Sequence, residues 1–523
     1  MELFIFFASL CLCLLLKPLI TQLHHLLSSS SKPTNKNPNL PPGPSRISLI
    51  ATFVFRGKSF FELGPIISNL RQKYGPLITV HLGSQPTIYI TNNSLAHQAL
   101  VQNGAVFADR PISINNLIVS NSKKIISKSP YGPTWRALRR NLTAGVLNPS
   151  QLRSFSHVRE RVLNNLIDAF KHDSKGEKAV FVEEYFRHAI FSMLVLLCFG
   201  DNVEEKQIRE IEAAQQRLFK NFHRFKLFII LPKLGKFLCK KQWKKLTEIV
   251  TGYDEAIVPL IRSRKKISEQ EQDTSRKDQG GVFYVDTLLN FQAPEEEENL
   301  KEVEIVGLCN EFISAGTDTT MTALHWIMAN VVKYPAIQAK ILEEIKGGIG
   351  DDQRKFIKED DLQKMPYIKA VVLEGLRRHP PGYAPATPHA VTEDVELGGY
   401  KVPKGTAVNF LIADMGRDPN VWENPMEFKP ERFLKSSDGD NDHRQQGFDV
   451  TGSREIKMMP FGAGRRICPG YGLAMLHMEY LVANLVWHFE WKPADGEDVD
   501  LTEKFDLTIS MKNPLRVHLT PRF

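Results

Sequence analysis

PFGAGRRICPG occupies Pro460–Gly470, near the C-terminal end of the chain. A single cysteine sits there among three glycines and two adjacent arginines. A structural cysteine needs none of these neighbours. A reactive or metal-binding thiolate gains from both, because guanidinium charge and the main-chain N–H groups of a glycine-lined turn stabilise an anionic sulfur. What Cys468 does therefore depends on what the rest of the chain places around it.

The chain has 523 residues, of which 42% are hydrophobic and 24% charged. Length alone suggests two to four ordinary domains. The net charge of +8 is modest for this length and fits an anionic membrane surface or an acidic protein partner. No dense Lys/Arg tract interleaved with aromatics is present, which argues against nucleic acid as a partner. The six cysteines (Cys11, Cys13, Cys198, Cys239, Cys309 and Cys468) are sparse and match neither a disulfide framework nor a zinc ribbon. Cys11, Cys13, Cys198 and Cys309 lie in apolar runs and read as small hydrophobes. Cys468 alone lies among glycines and arginines.

Upstream, Leu3–Leu16 is uninterrupted apolar sequence, closed by Lys17 and Pro18. A span needs roughly 20 apolar residues, so this run reaches across only if Leu19 and Ile20 join it and Lys17 snorkels. A cleavable leader would show a basic start and a small-residue cleavage site, whereas Glu2 opens this one. Residues 1–27 therefore read as an uncleaved membrane anchor. The Ser/Asn/Pro-rich residues 28–44, ending in LPPGP (Leu40–Pro44), read as a linker stiffened by proline. Lys32, Lys36 and Arg46 place the following side in the cytosol.

From residue 45 to 523 no second linker and no repeat appears, so one large domain is expected. The polar stretches Ser263–Gly281 and Ser436–Gly447 read as surface loops within it. Strand-like alternation is confined to short pieces near Leu77, Thr87, Ala407 and Leu515, and helical periods fill the middle. The expected fold is mainly α with small β-sheets packed to one side (α+β), not a doubly wound sheet.

The longest helix candidate runs from about Leu300 to Val332. Its centre, EFISAGTDTTMTALHW (Glu311–Trp326), interrupts an apolar pattern with Gly316, Thr317, Asp318, Thr319 and Thr320. Mid-helix glycine costs about 1 kcal/mol against alanine. Hydroxyls and carboxylates there compete for backbone hydrogen bonds, which predicts a distorted turn where a ligand can approach. In KAVVLEGLRRHPPG (Lys369–Gly382), Glu374 and Arg377 share a helix face, and Arg432 of FKPERF (Phe428–Phe433) could join them in a network. In GPTWRALRRN (Gly132–Asn141), Trp135 and Arg139 are four apart and together suit a carboxylate or phosphate.

In this order along the chain, FGAGRRICPG resembles the haem-binding signature of cytochromes P-450, the haem-thiolate monooxygenases. AGTDTT resembles their oxygen-activation motif, EGLR with the later PERF their Glu-Arg-Arg network, and WRALR their haem-propionate helix. LPPGP is similar to the hinge of the microsomal type, and the finer detail resembles plant members. The resemblance implies the cytochrome P-450 fold, with one haem domain behind an N-terminal anchor in the endoplasmic reticulum membrane. It implies haem b with Cys468 as the thiolate ligand of iron. Phe461 would pack beside the sulfur. Gly464 and Gly470 would let the backbone approach the porphyrin and start the next helix. Arg466, Trp135, Arg139 and His389 would meet the haem propionates, and Arg465 would face a reductase. Asp318 and Thr319 would manage protons on the distal side, where Ala315 and Gly316 leave room for oxygen and substrate.

The implied reaction inserts one oxygen atom from O2 into a small, mainly apolar plant metabolite. Electrons come from NADPH through a separate reductase, with a cytochrome b-type donor as a second source. Two other readings stay open at this point: a haem-thiolate isomerase or dehydratase that needs no reductase, and a haem protein or scaffold without turnover. The substrate wall is expected from Ile112–Ile126, Asn310–Thr317, Pro380–Pro388 and Leu507–Met511. Ala384 and Ala386 are expected to face the pocket.

Overall fold

A computed structural model describes residues 40–45, 60–81, 86–111, 124–175, 178–222, 239–274, 282–294, 298–350, 356–434, 448–496 and 498–523. The expected anchor, most of the linker, Cys11, Cys13, most of the Ile112–Ile126 wall and the Ser436–Gly447 loop lie outside these residues. Among the described residues no helix is long and apolar enough to cross a membrane.

The fold is mainly helical with small sheets, as expected. Its axis is the central helix Glu302–Lys333. Between Ile305 and Val332 it is buried on most sides, consistent with an apolar sequence that shows little one-sidedness. Helix Glu183–Phe199 packs along it, and its run Phe191–Phe199 is buried throughout. The close approach is made by glycine. A Cβ on Gly316 would lie 2.7 Å from Leu194 Cδ1, and one on Gly375 would overlap Ile327 where helix Pro366–Arg378 crosses. Helix Tyr471–His488, which follows the cysteine loop, closes the core from the other side.

The four strand predictions near Leu77, Thr87, Ala407 and Leu515 correspond to strands. Leu77–His81 pairs antiparallel with Pro86–Ile90, which pairs parallel with Ala407–Phe410, and His389–Ala390 forms the far edge. A second sheet joins Val180–Phe181, Arg516–Pro521 and Phe489–Pro493. The hairpin Glu503–Phe505/Ile509–Met511 was not visible in the sequence because each arm is only three residues long.

One expectation is corrected. Ser263–Thr274 is not a loop but the end of helix Lys240–Thr274, at 35 residues longer than the central helix. Its Lys, Arg, Glu and Gln residues are strong helix formers that need no apolar period to stay helical on a surface. The described end of the expected linker, Leu40–Pro44, docks on strand Leu77–His81. Leu40 is buried, Thr79 N–H donates to Pro42 O at 3.0 Å, and Thr79 Oγ1 donates to Pro41 O at 2.6 Å. Gly43 lies so close that a Cβ there would overlap the Thr79 carbonyl.

Glu374 and Arg377 are wholly buried, and Arg377 donates from Nε and Nη2 to the two Glu374 oxygens at 2.7 and 2.8 Å. Its remaining donors reach the carbonyls of Gly416, Pro425 and Glu427. Arg432 Nε joins Glu374 at 3.2 Å, as does the Lys429 N–H at 2.8 Å. Removing one partner of a buried pair strands the other charge. Glu374→Ala is therefore expected to destabilise the fold by about 3–5 kcal/mol, read as a lower urea midpoint and a reduced yield of folded protein.

At the hairpin, burial pushes the Glu503 carboxyl upward, but His379 and Arg417 outweigh it and hold the group at about 2. The unfolded chain protonates this group near 4.3. Its stabilisation is thus complete above that pH and is lost as pH falls towards 2. A shift of this size corresponds to at most about 3 kcal/mol. Thermal unfolding from pH 6 to pH 3 should show a shallower acid loss in Glu503→Gln than in the parent.

Candidate active site

The cysteine loop is a closed turn. Cys468 N–H donates to Phe461 O at 2.9 Å, and both Gly462 and Gly464 adopt positive φ. Gly464 is required by packing within the chain: a Cβ there would overlap the carbonyl of Leu100. Gly470 caps the helix Tyr471–His488 at ordinary distance from the sulfur. Burial raises the Cys468 thiol, while the Gly470 N–H and the Arg139 charge act in the opposite direction. The polypeptide by itself therefore leaves the sulfur as a shielded thiol. A metal cation binding it would tip it to thiolate.

Behind the loop lies a cluster of desolvated cations. Arg466 donates to the carbonyls of Ala108 (2.6 Å), Ile126 (3.2 Å) and Ser129 (2.8 Å). Arg110 donates to Ser127, Thr387 and Pro388 carbonyls, and Arg139 to Ile467 O at 2.5 Å. Among the described residues none of these three forms a salt bridge. Burial lowers Arg466 to about 9 and Arg110 to about 10, and it also lowers Arg139 and Lys128. Asp109 and Glu311 oppose this desolvation electrostatically, both at Arg110, Glu311 at Lys128 and Asp109 at Arg466.

Trp135 does not direct its indole N–H outward but donates it to Ile126 O at 3.1 Å. Its ring instead forms a platform for Arg466 at 4.3 Å and Arg139 at 5.6 Å. His389 is buried, which lowers it to about 3, and its Nδ1 lies 2.7 Å from Phe107 O. With Nδ1 donating to that carbonyl, the neutral ring offers Nε2 as an acceptor.

On the central helix, Ala315 and Thr319 are exposed in the middle of a buried element, four residues apart and on one face. By the sequence reading, this exposed face would line the distal cavity. The helix assignment is continuous through this stretch, and Thr317 Oγ1 and Thr319 Oγ1 donate back to Ile313 O and Ala315 O at 2.7 Å each, the competition for backbone carbonyls that the sequence suggested. A Cβ on Gly316 would point at Leu194, and Ala315 is the more exposed of the pair. Similarly, Ala386 is exposed, whereas Ala384 packs against the Leu63–Ile67 cluster. The hairpin carrying Leu507 is tied to both walls, through Ile509 N–H to Pro381 O (2.8 Å) and Trp326 Nε1 to Ile509 O (2.7 Å).

Asp318 points away from the cavity row, into helix Glu183–Phe199. It pairs with Arg187, which also reaches Glu183 at 3.2 Å. Burial raises the Asp318 carboxyl, and Arg187 partly offsets this. One turn earlier Ser314 lies 3.0 Å from Tyr253 OH and 3.2 Å from Gln215 Nε2, and two turns earlier Asn310 donates to Asp254 at 2.6 Å.

Sequence reasoning missed Arg110, Arg187 and Glu311. Arg187 is the sole Lys or Arg within helix Glu183–Phe199, and Glu311 the sole acid between Glu304 and Asp318. An isolated charge on an apolar helix is a signal of buried pairing, and it was available.

The cytochrome P450 family model matches residues 41–519. Cytochrome P450 89A9 of Arabidopsis thaliana is 44% identical over 496 residues, covering 92% of this chain and 94% of the relative. The (+)-menthofuran synthase of Mentha piperita is 31% identical, covering 94% of this chain and 95% of the relative. The 5-epiaristolochene 1,3-dihydroxylase of Nicotiana tabacum is 30% identical, covering 95% of each. Among solved structures, a zebra fish cytochrome P450 with abiraterone superposes with a TM-score of 0.69 at 22% identity, covering 88% of this chain and all of that one.

The contact at Gly316 makes a direct prediction. Gly316→Ala should destabilise the protein by about 1–3 kcal/mol, and combined with Leu194→Ala it should cost less than the two single losses added, because the shortened side chain leaves space for the new methyl. The check is the unfolding temperature and folded yield of the two single variants and the pair.

Proposed function

The chain belongs to the cytochrome P450 family and is a plant haem-dependent monooxygenase, and we propose that it inserts one oxygen atom into a small, mainly apolar metabolite with electrons from NADPH delivered by a separate reductase. In this balance a C–H bond or alkene gains one atom of O2. The other atom leaves as water, taking up two protons and the two electrons of NADPH. Haem b, held through the cysteine sulfur, supplies the redox chemistry and dioxygen activation.

What the residues do follows from their placement. Cys468 is the ligand in this reading, with the Gly470 N–H and Arg139 acting on its sulfur. Arg110, Arg139 and Arg466 receive the propionates, and Trp135 fixes the planes of two of these guanidiniums. Thr319 presents its hydroxyl at the cavity face. Its neighbour Asp318 holds a proton-exchanging carboxyl on the other side of the helix backbone, where Arg187, itself held by Glu183, keeps it oriented. A rotation of Asp318 off Arg187 would bring a proton from the buried side to the threonine side.

The observation that carries this reading is the row Ala315–Thr319, the exposed face of a helix otherwise enclosed by protein. Beside it, Ala386 and Leu507 are also exposed, and both oxygens of Glu311 are engaged by main-chain N–H groups. Such a lining favours an apolar ligand. The domain from about residue 40 would face the cytosol behind an anchor in the endoplasmic reticulum membrane. Arg465, exposed beside a cleft of about 600 Å³ at the cysteine loop, would face the reductase.

The test is co-expression with a microsomal reductase in a plant host, with metabolites profiled by mass. The intact chain should yield compounds heavier by one oxygen, dependent on NADPH, and Cys468→Ala should yield none. Thr319→Ala should keep the carbon-monoxide difference spectrum yet form product at least about 100-fold more slowly, the scale of a lost proton-transfer group. Product formation without NADPH would overturn the proposal.

A further inference from the structure

We propose that Glu311 is a positioning residue for the haem propionates, acting through the main chain of Ile126–Ser129 rather than by touching cofactor or substrate. This rests on the propionate placement of the preceding section.

Glu311 lies one turn before Ala315 on the cavity face of the central helix. Its carboxylate accepts two consecutive amides, Ile126 N–H at Oε2 and Ser127 N–H at Oε1, each at 2.7 Å. The carbonyls of the same short segment are taken by the cations of the cradle. Ile126 O accepts from Trp135 and Arg466, Ser127 O from Arg110, and Ser129 O from Arg466. The peptide units of 126–129 thus stand between an anion on the N–H side and guanidiniums on the C=O side. Each end polarises the peptide for the other. The segment is braced internally by Ser129, whose N–H and Oγ both donate to Ile125 O, at 3.0 and 2.6 Å.

Three features make Glu311 more than a loop clasp. Its oxygens are engaged by charge-assisted bonds, shorter than the usual amide–carbonyl bond. Burial raises its carboxyl, and the bonds from Ser127 and Ile126 together with Lys128 pull it back. The facing cations Arg110 and Lys128 are themselves held charged in part by Glu311. Its removal would therefore free the segment on which Arg466 and Arg110 rest, with both guanidiniums losing the carbonyls that aim them. Glutamine is no substitute, because its NH2 would confront one of two N–H donors.

The experiment uses full-length, haem-loaded protein and measures haem transfer to an excess of apo-globin. Arg466→Lys and Glu311→Gln are each expected to accelerate the transfer about tenfold, the scale of one charge-assisted hydrogen bond. The double variant is expected to be no more than about threefold faster than the worse single, because both act through one segment. The propionate bending bands in the resonance Raman spectrum should shift in Glu311→Gln, which a purely structural role would leave in place. Glu311→Asp keeps the charge but reaches one amide at most, so it should fall between parent and Glu311→Gln. It carries the comparison should Glu311→Gln not hold haem. Multiplicative rates in the double variant, unmoved propionate bands, or parent-like transfer in Glu311→Asp would each overturn the proposal. Parent-like transfer in Arg466→Lys would instead sink the propionate placement itself, and the proposal with it.

Discussion

Arg377 donates all five of its guanidinium N–H groups, none of them to water. Two bind Glu374 and three bind carbonyls of loops 39 to 50 residues further along the chain. That segment buries Trp422 and Phe428, but its carbonyls also need partners away from water. A buried guanidinium can hold them because every unfilled donor would carry a desolvation cost. Arg377 also lies 5.3 Å from the Trp422 ring, whose N–H donates to Lys457 O, three residues before the cysteine loop begins. The loop that carries Cys468 is therefore seated from behind by an ion pair far from any chemistry. The same logic recurs at Asn93, whose amide donates to Ile456 O and Lys457 O.

The distal and propionate sides are organised differently. There the fixed charges are in excess, and main-chain carbonyls hold them in place without neutralising them. Carbonyls can aim a guanidinium but leave its charge uncompensated, so the cluster retains affinity for carboxylates. The pairing of Asp318 with Arg187 is the counterexample on the same helix, a compensated charge held off the cavity row. One helix thus presents an apolar and hydroxyl face to the ligand and a polar face, through Asn310, Ser314 and Asp318, to its helical neighbours.

Much of this was legible in sequence, and the limits have physical causes. Short motifs announced themselves where one residue type is needed at one spacing, as in Cys468 with its glycines or Glu374 with Arg377. The principal strands were legible through alternation. Which way a residue points was not. Gly316 and Gly464 were expected to make room for a ligand, and the contacts found at them are with Leu194 and the Leu100 carbonyl, which the sequence did not signal. A glycine records that something lies close without recording what. Trp135 and Arg139 were rightly grouped, but the indole N–H was spent on Ile126, a contact between residues whose geometry only the folded loop defines. Ser263–Thr274 was misread because period was weighed and intrinsic helix propensity was not.

The Gly464–Leu100 contact also orders events in time. The turn around Cys468 keeps its shape only with residue 100 docked against residue 464, a closure across most of the chain. Pairings of such separation form late in folding, since the entropy of closing the intervening loop must be met first. During synthesis, the N-terminal partner waits as an incomplete surface until the ribosome has released nearly everything else. Closure of the cysteine loop is then a step that waits for residue 464 to be made, however early residue 100 has folded.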